Sequence, residues 1–243
     1  MCVSDGRNVH RKRGRAEPLS KIDYTLTRTN RKTIALYVKS EGIEVRAPLR
    51  IGKSEIDRFV EQKRTWAEKK LAELAEKDKQ KAAFEISYGS RLPYQGREWI
   101  VGGVPGRKVF FDNAFCVPVQ LTPEQVKYAC VQIYRLLARR DLTAKTQGYA
   151  EKMRVEPSGI KINGAKTRWG SCSAKKSLNF SWRLMMADDD VIDYVVVHEL
   201  AHIKEMNHSP KFWAIVEGVL PDYKQRQTKL KMLQKRLSTE EWE

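Results

Sequence analysis

The chain is short of cysteine, acidic residues, long apolar runs and histidine, and each shortage removes a class of protein. Its four cysteines, Cys2, Cys116, Cys130 and Cys172, are scattered without a Cys-x-x-Cys pair. That excludes a zinc ribbon, a redox dithiol and a disulfide framework, and leaves reduced thiols. No apolar stretch approaches the roughly 18–20 residues that cross a bilayer. The opening "MCVSDGRNVHRKRGRAEP" is basic and has no apolar signal-like core, so a cytoplasmic location without membrane contact is expected. No phosphate-cradling loop of the Gly-x-x-x-x-Gly-Lys kind occurs. Histidine numbers four in 243 residues.

Acids are outnumbered, 30 against 46 Lys and Arg, for a formal net charge of +16. The excess is uneven. Residues 1–32 carry nine basic residues against three acids, and residues 135–183 twelve against three. Such blocks suit an anionic partner or a solubilising surface, and they speak to association rather than to fold.

Residues 1–18 read as a basic flexible tail, with His10 solvated in it. From Ile22 the residues alternate in character around turns at Thr29-Asn30 and Glu41-Gly42, which predicts a three-stranded antiparallel meander. A long helix should follow from a cap at Ser54 through Lys77, burying Ile56, Phe59, Val60, Trp66, Leu71 and Leu74. Short strands resume in "FEISYGSRLPYQGREWIVGG" and "RKVFFDNAFCVPV". A second long helix begins with Thr122 as cap and Pro123 in its first turn, with Val126, Ala129, Cys130, Ile133, Leu136 and Leu137 on one face. The compositional shift places a boundary near Val119, dividing a mostly β lobe with one long helix, 19–119, from a metal-binding domain, 120–243. "IKINGAKTRWGSCSAKKSLNFSWRLMM" supplies two or three strands, and the remainder from about Asp190 is helical. The class is α+β.

Three of the four histidines, His198, His202 and His208, fall within eleven residues of "VVVHELAHIKEMNHSPKFW". On a helix, positions four apart project from nearly one face, about 6 Å apart along the axis. His198 and His202 can therefore aim two imidazoles at one ion, while Glu199, rotated about 100° from His198, sits beside a water on that ion. This is the His-Glu-x-x-His pattern, in which two histidines hold zinc and the glutamate acts as general base. A helix end near Asn207 would turn His208 back as a third ligand, leaving a fourth tetrahedral position open as in a catalytic zinc site. Asp188, Asp189, Asp190, Asp193 and Glu205 read first as caps or surface charges and Tyr149, Tyr194 and Tyr223 as packing residues, with an orienting role for one of the acids and an electrophilic role for one of the tyrosines left open. The spacing matches the long metzincin pattern, but Glu205 stands where that pattern has glycine.

The segments "TRWGSCS" (Thr167 to Ser173), "LNFSWRLMM" (Leu178 to Met186), "VIDYVVVHELAH" and "NHSPKFW" (Asn207 to Trp213), in this order, resemble the YgjP-like family of zinc metallopeptidases, relatives of the SprT and WLM groups. The resemblance implies a zincin-like core, Zn2+ on His198, His202 and His208, and Glu199 as catalytic residue. It also implies that the strand around Arg168 to Cys172 lies along the cleft. An edge strand there can hold an extended peptide by strand addition, with Arg168, Trp169, Gly170 and Ser171 as substrate-binding candidates. Cys172 reads as a small buried residue, and Trp169 and Trp182 as core aromatics. Against the SprT group, this chain has no cysteine after Cys172, which weakens an inference to DNA-associated proteolysis.

Three functions follow. A zinc metallopeptidase acting on a peptide or protein fits the site chemistry. A nucleoside triphosphate pyrophosphatase of UTP type is a second activity implied by the resemblance, with Arg168, Lys175, Lys176 or Arg183 as phosphate clamps. A nucleic-acid-associated protein would use the basic tail and "DYKQRQTKLKMLQKRL", and its binding would weaken steeply with salt.

Overall fold

A computed structural model describes residues 22–242; the basic segment 1–18, with Cys2 and His10, lies outside the described residues. The chain forms two compact units that divide between Glu76 and Lys77. The boundary expected near Val119 falls inside the second unit.

In the first unit, strands β1 (Thr25–Thr29), β2 (Ala35–Lys39) and β3 (Gly42–Pro48) form a sheet in the order β1-β3-β2. The expected antiparallel meander is corrected here: β2 and β3 form a hairpin, but β1 pairs parallel to β3. The physical reason lies in β3, whose alternate residues Ile43, Val45 and Ala47 are buried. The strand with the fullest buried face takes the centre, and β1 and β2, neither of which has a fully buried residue, take the edges. Arg28 then secures the parallel edge, donating from Nη1 to the carbonyls of Pro48, Leu49 and Ile51.

The single helix expected over 54–77 is two: α1 (Lys53–Gln62) and α2 (Arg64–Ala82), interrupted at Lys63. Gly52, not Ser54, is the N-cap of α1. Ile56, Val60 and Ala67 pack with β3 as the core of this unit, while Trp66 stays exposed. The break lets both helices present their small apolar residues without continuing one rigid axis.

The second unit opens with β4 (Arg91–Tyr94), β5 (Arg97–Val104), β6 (Phe110–Phe111) and β7 (Phe115–Pro118), in the order β4-β5-β7-β6. Helix α3 (Pro123–Met153) follows. Thr122 and Gln125 form the reciprocal cap that starts it, with Pro123 in the first turn. Its face Val126, Ala129, Cys130, Ile133 and Leu137 is buried as expected, while Leu136 is exposed. Strands β8 (Gly159–Asn163), β9 (Gly170–Cys172) and β10 (Ser177–Ser181) form a sheet in the order β8-β10-β9. Strand β9 pairs antiparallel with β10 and occupies an edge. A short 3-10 turn, Trp182–Met186, leads into α4 (Asp189–Ala201), α5 (Pro210–Val219) and α6 (Tyr223–Leu237).

The architecture among the described residues is therefore α+β, with three small sheets and six α-helices. Helix α4 is apolar on nearly every side: Val191, Ile192, Val195, Val196, Val197, Leu200 and Ala201 are all buried. A helix of that character belongs in a core, and α4 lies among α3, β9, α5 and α6. No described helix is long and apolar enough to cross a membrane.

Candidate metal centre

Helix α4 is shorter than the sequence predicts, ending at Ala201 rather than near Asn207, with His202 as its C-cap. The chain then turns back, and Ser209 caps α5 by accepting from the Phe212 backbone N–H. This reversal brings His208 beside the two histidines of α4. One ring nitrogen from each of His198, His202 and His208 lies within 4.8 Å of the others, and the Nε2 atoms of His198 and His208 are 3.0 Å apart.

The rings are held by what surrounds them. Phe212, fully buried, has its centroid 4.6–4.9 Å from all three imidazoles. Trp213 stacks against His208 at 5.7 Å. His202 Nδ1 lies 3.2 Å from the Glu205 carbonyl oxygen, a contact that places the hydrogen on Nδ1 and turns Nε2 toward the cluster. The Glu205 backbone, rather than its carboxylate, thus does the orienting. Tyr194 presents its hydroxyl to His198 Nδ1 at 3.4 Å. The remaining acids are engaged elsewhere: Asp189 and Asp193 with Lys145, and Asp188 and Asp190 with Lys229. Of the three tyrosines, Tyr149 bonds to Asp193, Tyr223 stacks on Trp213, and Tyr194 meets a histidine of the cluster. Gln227, which donates to the Tyr194 hydroxyl at 2.9 Å, had no signal in the sequence, because it reaches the site through another helix.

Electrostatics favour a cation among these rings. Burial, reinforced by the neighbouring His202 and His208, pushes His198 down to about 3. Burial lowers His202 as well. Both imidazoles are neutral at pH 7 and offer lone pairs rather than charges. Glu199 is 5% exposed, and burial raises it to about 8. Its Oε2 is buried with no hydrogen-bond partner among the described residues. An isolated buried carboxylate is costly, and one that follows a ring of the histidine cluster on α4 fits a site completed by a cation and a water. The donor set therefore suits a divalent metal of zinc type, three nitrogen ligands with a position to spare.

Strand β9 supplies the opposite wall. A Cβ placed on Gly170 would lie 2.6 Å from both Cγ and Oε1 of Glu199, closer than any side chain tolerates. Glycine at 170 is what allows the strand and the carboxylate to touch. Ser171, next along the strand, accepts a bond from Asn179 at 3.4 Å.

The other substrate candidates spread outward. Trp169 is partly buried and packs on the main core. Arg168 is exposed and lines a cleft of about 210 Å³ with Trp169, Lys81, Lys166 and Gln234. Trp182 is fully buried, and Arg183 lies over its ring and donates to the Gly164 carbonyl. Lys175 and Lys176 are exposed, and Lys176 lines a different cavity with Arg154 and Glu156. Arg168 and Arg183 thus line one cleft and Lys176 another, so the four proposed phosphate clamps are not gathered in one place. Cys172 is partly buried and stands outside the histidine cluster.

Comparison with known proteins gives one extensive match. The family model described as YgjP-like, metallopeptidase domain, aligns with residues 32–233. Among solved structures, the metallopeptidase zymogen abylysin of Pyrococcus abyssi is 21% identical with a TM-score of 0.35, covering 37% of this chain and 92% of that one. The metallopeptidase zymogen jannalysin of Methanocaldococcus jannaschii is 26% identical with a TM-score of 0.34, covering 39% and 96%. No curated protein matches the chain.

Proposed function

Because the chain belongs to the YgjP-like metallopeptidase family, we propose that it is a zinc-dependent peptidase with a zincin-like core, in which His198, His202 and His208 hold the ion and Glu199 is the general base. The observation that carries this reading is the convergence of three imidazoles, with the buried, unpartnered Oε2 of Glu199 carried by the residue that follows His198 on α4. A bound zinc ion would supply Lewis acidity, polarising a peptide carbonyl and acidifying water to near pH 7. Glu199 accepts the proton of the attacking water and passes it to the leaving amine. Its raised pKa in the metal-free site suits a group that must hold a proton between these two steps.

The substrate lies along the free edge of β9. Trp169 and Ser173 bond to β10, so by the alternation of an antiparallel ladder Ser171 faces β10 and the backbone groups of Gly170 and Cys172 face the free edge. These take an extended peptide by strand addition, which sets the scissile bond beside Glu199 without side-chain readout. Specificity then comes from the ends of the strand. Trp169 and Arg168 lead into a cleft lined by Lys81 and Lys166 but also by Glu240 and Glu241, with Lys166 paired to Glu241, and the exposed Arg168 is the candidate contact for an acidic substrate side chain. Arg168→Glu is expected to raise KM for peptides acidic at that position by about tenfold and leave kcat unchanged. Equal KM for acidic and neutral peptides in both proteins would remove Arg168 from the substrate site.

The reading is tested by digesting an unbiased peptide library with protein carrying one equivalent of zinc, with cleavage sites read by mass spectrometry. Cleavage that vanishes with a chelator and returns with zinc is the expected result. A fully zinc-loaded protein that cuts nothing, or a chelated one that cuts equally well, would overturn it.

A further inference from the structure

We propose that the C-terminal helix α6 sets the strength of the metal centre through Gln227 and Tyr194, which position His198. The inference rests on the reading of His198 as a metal ligand and goes beyond it, by assigning control of that ligand to a helix that contributes no ligand of its own.

Tyr194 precedes His198 by four positions, so both project from one face of α4. The Tyr194 hydroxyl is 3.4 Å from His198 Nδ1, and Gln227 of α6 donates from Nε2 to that same hydroxyl oxygen at 2.9 Å. Tyr194 is 4% exposed, which leaves little water to replace either contact. Helix α6 is locked to α4 on both sides of Gln227. Arg226 donates from Nη1 to the Asp190 carbonyl at 2.8 Å, and Lys229 pairs with the Asp190 carboxylate at 2.8 Å. Tyr223, one turn earlier, stacks on Trp213 with centroids 5.3 Å apart. Gln227 is therefore delivered to Tyr194 by a fixed helix rather than by a loop.

The chemistry follows from the two faces of one imidazole. His198 turns Nε2 toward His208 Nε2, so Nε2 is the atom that meets the ion and Nδ1 must carry the hydrogen. The phenol is both donor and acceptor. Gln227 donates to its oxygen and pins the phenol in place, and with an ion on Nε2 the Nδ1–H of His198 donates to that same oxygen. Without Gln227 the phenol is no longer held against Nδ1, and the His198 ring loses the partner that fixes its orientation. Tyr194 and Gln227 are positioning residues: neither touches metal or substrate.

The test uses the full chain, with zinc dissociation constants from competition with a chromophoric chelator. Histidine ring nitrogen NMR on metal-free protein reads the tautomer directly. Tyr194→Phe keeps the ring and removes the oxygen; it is expected to weaken zinc binding by about 10- to 100-fold, the usual effect of losing an outer partner of a ligand. Gln227→Met should weaken it less, and add nothing in the Tyr194→Phe background, because it acts through that oxygen. In metal-free wild type the His198 hydrogen should sit on Nδ1 and shift toward Nε2 in Tyr194→Phe, which removes its acceptor, while His202, held by the Glu205 carbonyl, does not move. Zinc affinity within twofold of wild type in both variants, or a Gln227→Met effect of equal size in both backgrounds, would overturn the proposal. A wild-type protein that binds no zinc would fail earlier and distinguishably, taking the ligand assignment with it. Gln227 is not fully buried, so its variant remains interpretable if Tyr194→Phe loses its fold.

Discussion

Glu199→Gln is expected to bind zinc as wild type does and to lose peptidase turnover by about 100- to 10,000-fold, the range that a positioned general base contributes. Glutamine keeps the shape and the buried position but takes up no proton at neutral pH. Zinc content measured alongside kcat separates this outcome from loss of the ion, and a variant that cleaves at the wild-type rate would remove Glu199 from the chemistry. Metal-free protein provides a second reading. The folded pKa of Glu199, about 8, lies above the ordinary carboxylate range because of burial, so the folded state holds a proton there that the unfolded state has released. Stability from this group is therefore full below the unfolded pKa and is lost as pH rises toward about 8. Thermal melts of the metal-free wild type should fall across that window relative to Glu199→Gln, which has no proton to lose at this position. Parallel melting curves over the whole range would show that the carboxyl is not isolated from solvent.

Gly170→Ala is the second large effect. The added methyl would sit 2.6 Å from Cγ and Oε1 of Glu199, so either β9 or the carboxylate must move. Glu199 is buried on a helix fixed among apolar neighbours, and close packing makes such an insertion cost about 1–3 kcal/mol of stability. A displacement of order 1 Å at a catalytic group costs about 100-fold in rate. Turnover is expected to fall by about that factor while three histidines continue to hold zinc. Because the loss passes through Glu199, the substitution should add little in a Glu199→Gln background. Full activity in Gly170→Ala would mean that β9 is free to move away from α4, contrary to the packing described here.

These two residues mark how much of the site was legible from the residues alone. His198, Glu199 and His202 are close in sequence and their spacing is a property of the helix, so their convergence could be read before any fold was known. Gly170 is 29 positions from Glu199 and was singled out only with the motif around it; its need to be glycine arises from contact across β9 and α4. Gln227 was invisible for the same reason, since a glutamine on a basic helix carries no local signature. The turn that returns His208 was anticipated, but the helix stops earlier, at Ala201, because the chain must reverse within six residues to close the triad.

The fold divides along the same line. The Thr122 cap, the α3 face, the β2–β3 hairpin and the buried character of α4 are local or periodic features, and the sequence by itself determined them through capping chemistry and the 3.6- and 2-residue repeats. The parallel pairing of β1 with β3, the break at Lys63 and the division of the chain at Glu76 depend on which surfaces find each other. Strand partners and helix contacts are chosen by competition among apolar faces far apart in the chain, and burial on β3 and the grip of Arg28 decided that competition. The sequence determined that three imidazoles and a carboxylate would share one neighbourhood. Tertiary packing alone decided that the carboxylate would be dry, pressed on a glycine strand and unpartnered, which is what turns a cluster of ligands into a candidate for catalysis.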